Sequence, residues 1–234
     1  MGRVIILVGS MRENGNTRIL AERFAEGASE NNSVGVISVA DHRVNPCIGC
    51  NRCYSSEGNA CFQRDGMDEI YPKLAEADVL VISSPVYFYG ISAELKAVVD
   101  RLHTPLRKTF RIRKLALLLV GATEVPNLFD SIEVQYESVL KFFDLEDAGR
   151  VLVGGVKDPG DIIGNPKLEE AYLLGKSIRR PSRSRCTSGF RTPGRCPTTG
   201  PGRRIRWTPP GRAENPASCP CNGGRPCRPR TCPP

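Results

Sequence analysis

Arg3-Val-Ile-Ile-Leu-Val8, followed by Gly9-Ser10-Met11-Arg12-Glu13-Asn14-Gly15-Asn16-Thr17, is the stretch on which the reading of the fold turns. Five consecutive apolar residues, rich in β-branched side chains and too few for a helix, predict a buried strand. The Gly, Ser and Asn residues that follow are turn chemistry, and a helical pattern runs from about Thr17 to Ser29. A strand that passes through a tight loop straight into a helix is the start of a βα unit. The first N–H groups of such a helix lack partners and its dipole favours an anion. Ser10, Asn14, Asn16 and Thr17 can add side-chain donors, and Arg12 can add charge. The loop contains neither G-x-G-x-x-G nor G-K-[ST], so a single phosphate suits it better than a pyrophosphate or nucleoside triphosphate. The plainer reading is that Asn16 or Thr17 caps a helix and the rest is a turn.

Working outward, short β-rich runs alternate with longer helical patterns. Strands are predicted at Val34 to Val39, Val79 to Ser83, Leu115 to Val120 and Val151 to Val156. Helices are predicted near Met67 to Ala77, over Ser92 to Leu102, Leu128 to Phe143 and Lys167 to Ser177. A cysteine-bearing insert from Asn45 to Asp65 interrupts the second unit. Five strands alternating with five helices predict a doubly wound α/β domain with a five-stranded parallel sheet over residues 1–178. The apolar run at Val4 to Val8 is too short for a signal peptide, and Leu115 to Ala122 is far below the roughly 20 residues of a membrane span. The expectation is therefore a cytoplasmic protein with no membrane contact.

Composition changes abruptly after Ile178. Residues 179–234 hold 13 Arg, 12 Pro, seven Gly and six Cys, with one acidic residue, Glu214, and no Lys. The formal charge of +8 comes from this tail at +12, while the first 178 residues sit at −4. The high pI thus describes an appendage and not a folded basic face, which removes the usual ground for a nucleic-acid partner. With few large apolar side chains to bury, the tail is expected to be disordered. Its composition reads like GC-rich sequence translated in an unselected frame, with a frameshift near Ile178.

The loop Gly-Ser-x-Arg-x-Asn-Gly-Asn-Thr after the first strand resembles the FMN phosphate loop of the NADPH-dependent FMN reductase and iron-sulfur flavoprotein superfamily, whose fold is flavodoxin-like. Met11 stands where many members carry Pro, which leaves the donors in place. Ser83-Ser84-Pro85-Val86-Tyr87-Phe88-Tyr89-Gly90-Ile91-Ser92 lies at the carboxyl end of the third strand, where open α/β sheets place ligands. Aromatic side chains there can flank a flat ring, or can simply pack on neighbouring helices. This stretch, with Ala93 to Arg101 behind it, is similar to the superfamily's second flavin loop. The resemblance implies ring contacts from Pro85, Val86, Tyr87, Phe88 and Gly90. Lys96, Asp100 and Arg101 also fit its pattern and read as structural or interface residues. A third ring loop is expected near Gly121 to Glu124.

Cys47-x-x-Cys50-x-x-Cys53 followed after seven residues by Cys61 is too dense for chance in a chain with no other cysteine before Cys186. In a reducing compartment such a run reads as metal ligands or thiols and not as disulfides. A 4Fe-4S cluster, zinc and unmetallated or redox thiols are the three readings. The placement resembles iron-sulfur flavoproteins, although the final gap is long for them. His42 and His103, the only histidines, lie in no motif, and Glu133, Glu137, Asp144 and Glu146 look like a solvated face.

Together these readings give an FMN-dependent oxidoreductase in a homo-oligomer, a dimer or tetramer that completes the ring pocket. Electrons would come from NAD(P)H or a ferredoxin-like donor and pass to a quinone, another small acceptor or a partner protein. The cysteine run, if it holds a cluster, would lie on their route. A reductase without a cluster and a non-catalytic flavodoxin-like carrier are the alternatives.

Overall fold

The computed structural model describes residues 1–179. The chain order is β1 (Gly2–Val8), α1 (Asn16–Ser29), β2 (Asn32–Ser38), α2 (Met67–Ala75), β3 (Val79–Tyr87), β4 (Gly90–Ile91), α3 (Ala93–Asp100), β5 (Lys114–Val120), α4 (Asp130–Phe143), β6 (Glu146–Val153) and α5 (Lys167–Ser177). Five strands form a parallel sheet in the order β2-β1-β3-β5-β6. Two-residue β4 runs antiparallel to the end of β3. The flavodoxin-like expectation is met. The expected tail, apart from Arg179, lies outside the described residues.

Side chains alternate along the central strands because the strand period is two. Val4, Ile6 and Val8 enter a core with Leu20, Phe24 and Ala28 of α1 and Ala171 of α5. Ile5 and Leu7 enter a second core with Met67, Ile70 and Leu74 of α2, Leu95 and Val98 of α3, and Ile132 and Tyr136 of α4. With both faces covered, the strands read as unbroken apolar runs, which is how parallel sheets read. Helices α1 and α5 meet at two buried glycines. A Cβ on Gly27 would stand 2.0 Å from the Tyr172 carbonyl oxygen, and one on Gly175 would stand 2.1 Å from that of Phe24.

Two strands extend well beyond the sequence reading. β6 starts at Glu146, five residues before Val151, because it is an edge strand whose polar half carries ion pairs. Arg150 bridges Asp147, Glu133 and Glu137, and Glu146 meets Lys114, so three of the four acids read as a solvated face are paired. β3 continues four residues past Ser83, as Pro85 and its neighbours stay in register with β5. Among the described residues no helix is long and apolar enough to cross a membrane.

Candidate flavin site

The direction of winding reverses between β1 and β3, which opens a crevice at the carboxyl ends of those strands. The loops that follow β1, β2, β3, β5 and β6 all emerge at this end. Residues 9–15 form the first. Gly9 N–H donates to Ser83 O at 2.7 Å, and Ser10 Oγ accepts from Arg12 N–H at 3.1 Å. A Cβ on Gly15 would meet Ser10 Oγ at 2.9 Å and Arg12 Cβ at 3.1 Å, so the loop is closely packed here. The ladder of α1 starts with Arg18 and Ile19 donating to Gly15 O, which leaves the N–H groups of Asn16 and Thr17 outside it. The first turn of α1 contains no acidic residue. A buried helix start with free donors, no opposing charge and a cradle that a Cβ would fill fits the phosphate of FMN.

Not every residue read as a phosphate donor points its side chain there. Asn16 Nδ2 donates to Asp158 O at 2.9 Å, and its Oδ1 accepts from the N–H groups of Gly160 at 2.9 Å and Ile162 at 3.4 Å. Arg12 Nη1 donates to Lys157 O at 3.1 Å. These two side chains therefore latch the loop after β6 onto the loop after β1, and leave the main-chain N–H of Asn16 outside the helix ladder. Ser10 and Thr17 are buried and Asn14 is exposed. Asn16→Ala should cost about 2 kcal/mol by stranding buried N–H groups, and should weaken FMN binding as the loop loosens. Thermal unfolding and flavin-fluorescence titration check this, and an unchanged flavin affinity would refute it.

The loop after β3 is a two-residue hairpin. Tyr87 pairs with Gly90, and between them Phe88 and Tyr89 take φ of 48° and 62°. Both lie in the left-handed region, as a type I′ turn requires, although neither is the Gly or Asn that adopts it cheaply. Strain of this kind persists only where surroundings impose it. Here β4 pairs on one side, and the Ser131 hydroxyl of α4 donates to Tyr89 O on the other. Tyr87 and Tyr89 are half exposed and Phe88 wholly exposed, while Pro85, Val86 and Gly90 are half-buried beneath them. Phe88 packs on no helix, and the hairpin stands at the carboxyl end of the sheet.

Three buried serines outside the expected set join the two loops. Ser92 Oγ donates to Gly9 O at 2.7 Å, and Ser92 N–H donates to Ser84 Oγ at 3.0 Å. Ser83 Oγ reaches Thr17 O at 3.4 Å. Serines flanking an otherwise apolar strand end were the available signal, because buried hydroxyls need partners. Near Gly121 the third loop is tied to β6 through Gly121 N–H to Val153 O at 2.7 Å.

Cys47, Cys50, Cys53 and Cys61 are all free thiols on the long loop after β2; the first two are exposed and the others half-buried. Among the described residues no three His, Cys, Asp or Glu side chains are arranged to hold a metal ion. Four soft donors suit a thiolate-bound metal in kind, but in this conformation they are not drawn together. Beside them Arg101 pairs with Asp65, both nearly fully buried. Burial pushes the Asp65 carboxyl up, but the N–H groups of Asn45 and Met67 and the Arg101 guanidinium outweigh it and hold its pKa below the ordinary value. His42 is mostly buried against Glu69, whereas His103 is exposed.

Residues 2–132 match the family model for NADPH-dependent FMN reductase. An iron-sulfur flavoprotein of Methanocaldococcus jannaschii is 45% identical over 186 residues, covering 75% of this chain and 95% of its own length. Another, from Archaeoglobus fulgidus, is 28% identical over 182 residues, 75% of this chain and 78% of its own. In fold the chain is similar to the NAD(P)H:quinone oxidoreductase of Methanothermobacter marburgensis, with a TM-score of 0.60 at 19% identity over 76% of this chain and 99% of that one. With the loop geometry, this extent of similarity establishes that the chain belongs to the NADPH-dependent FMN reductase family.

Proposed function

We propose that the chain holds one FMN in the crevice between β1 and β3 and passes electrons from NAD(P)H to a small oxidant such as a quinone. The observation that carries this reading is the start of α1, where free N–H groups and an acid-free first turn face a loop closed by Gly15. When bound, the flavin supplies the hydride and electron chemistry. The chain supplies binding and shape. The main-chain donors of Asn16 and Thr17 fix the phosphate, helped by Ser10 and Asn14. The half-buried Pro85, Val86 and Gly90 leave room for a ring edge, and Tyr87 and Phe88 bound the face that donor and acceptor approach. Fully exposed Phe88, with half-exposed Met11 and Tyr89 nearby on the same rim, favours a second copy completing the pocket in a dimer or tetramer.

The purified full-length chain should be yellow, release FMN and not FAD on denaturation, and oxidise NADPH only with an acceptor present. A colourless protein that cannot be reconstituted with FMN overturns the reading, and bound FMN without NAD(P)H turnover would favour an electron carrier. A second reading adds a 4Fe-4S centre at Cys47, Cys50, Cys53 and Cys61. Four free thiols on one insert at the flavin end of the sheet favour it. Anaerobic preparations should then carry about four irons and four sulfides per chain, both lost in Cys50→Ala; zinc in their place would refute the cluster.

A further inference from the structure

Residues 107–114 read Arg-Lys-Thr-Phe-Arg-Ile-Arg-Lys, five cations in eight residues with no acid among them, within a body whose formal charge is −4. Lys114 pairs with Glu146 at 2.7 Å, and Arg111 donates to Glu76 O at 2.9 Å. Arg107, Lys108 and Arg113 have no carboxylate partner among the described residues. All three line one cavity of about 250 Å³. It lies over the amino ends of β3 and β5, at the opposite end of the sheet from the flavin crevice. Leu80 and Leu115, register partners in those strands, are its buried floor. Val139 and Phe143 from the last turns of α4, with Phe110 and Ile112 from the chain returning to β5, are its half-buried walls.

A structural role accounts for one of these cations. The Arg107 guanidinium lies 3.1 Å from the centre of the Phe143 ring, at the C-terminal end of α4, where a cation offsets the helix dipole. Burial holds its pKa below the ordinary value, and no carboxylate raises it. Lys108 and Arg113 exceed what the helix end needs. Both are exposed beside it, and like charges gathered without a partner repel one another. An anion shared among them turns that repulsion into attraction, and the planar guanidinium fork matches a carboxylate. Residues 179–234 hold one acid against 13 Arg, so that stretch is a poor source of the anion. The apolar floor and walls call for more than a bare ion. An apolar cavity of about 150 Å³ accepts a benzene molecule, so 250 Å³ leaves room for one ring on a short arm.

We propose that this cavity binds a small carboxylate with an apolar body, which rests on Leu80 and Leu115 while Arg107, Lys108 and Arg113 hold its charged end. The ring or chain displaces water from half-buried side chains, and the three cations select the acid over a neutral molecule of the same shape.

The test titrates the full-length chain with phenylacetate by calorimetry in excess FMN, so that the probe does not report on the loop after β1. One site per chain with a Kd of about 1 mM or below is expected, with flavin absorption unchanged. Acetate lacks the ring and phenylethyl alcohol lacks the charge, so each should bind at least about tenfold more weakly. Arg107→Gln should lose at least about tenfold in affinity. Val139→Trp keeps every cation but fills the cavity, and should abolish binding. If circular dichroism shows that tryptophan disturbs the fold, Lys108→Gln combined with Arg113→Gln replaces it and should weaken binding as Arg107→Gln does. No saturable binding in wild type, or equal affinity in wild type and Arg107→Gln, overturns the site. A probe that shifts flavin absorption is bound in the flavin crevice and overturns it too. A dimer that Arg107→Gln separates and phenylacetate does not would give the cavity to a second copy instead.

Discussion

Gly175→Ala is expected to destabilise the domain by on the order of 3 kcal/mol or more, the upper end of overpacking costs, and to lower FMN content with it. In a free helix the same change would stabilise by about 1 kcal/mol, because alanine is the better helix former. The sign is therefore diagnostic. At Gly175 the new Cβ would lie 2.1 Å from a carbonyl oxygen of α1, and at Gly27 the reciprocal distance is 2.0 Å. Both obstacles are backbone atoms, which cannot rotate aside as a side chain can. Only separation of α1 from α5 relieves the contact, and α1 carries the N–H groups proposed to bind the phosphate. A thermal midpoint that rose in Gly175→Ala would show that the two helices do not cross as described.

Asp65→Asn should cost about 3–5 kcal/mol at neutral pH, the usual penalty for breaking a buried pair by removing one partner. It leaves the Arg101 charge buried without a counter-ion. The pH dependence follows from the direction of the shift. Asp65 has its carboxyl pKa held below the ordinary value, so the stability it contributes is complete above that ordinary value and disappears as pH falls through the folded one. The difference in thermal midpoint between wild type and Asp65→Asn should thus be widest near neutrality and close on acidification below about pH 4. A difference independent of pH would mean that Asp65 is not ionised in the folded protein.

The central strands and helices were legible because parallel strands buried on both faces leave continuous apolar runs, and short turn segments punctuate them. The polar half of β6 was not, since an edge strand that faces solvent through Glu146, Asp147 and Arg150 has the composition of a loop. The succession of strand, turn and helix around residues 9–15 could be read, because an apolar run, a Gly/Ser/Asn turn and a helical pattern follow one another there without interruption. The role of the Asn16 side chain could not, because its partners lie 142 to 146 residues away. The ion pair beside the insert was equally hidden: Arg101 and Asp65 are 36 residues apart, and only the α2–α3 side of the sheet brings them together. At Phe88 and Tyr89 the local rule misleads, since two aromatic residues occupy a turn that normally calls for Asn-Gly.

The crossing of α1 and α5 also bears on the order in which a ribosome delivers this domain. Within the domain, β1, the loop after it and α1 are synthesised before the elements they pack against. Their packing partner is the last helix of the described domain: α5 spans Lys167–Ser177, and Ile178 O closes on the Asn32 side-chain amide at 2.9 Å. While translation proceeds, the strip of α1 around Gly27 and Phe24 has nothing to lie against, and the loop after β6 that Asn16 latches has not yet emerged. The strand and helix made early in the domain are thus completed late, and flavin capture at the proposed site waits on the finished domain instead of nucleating it.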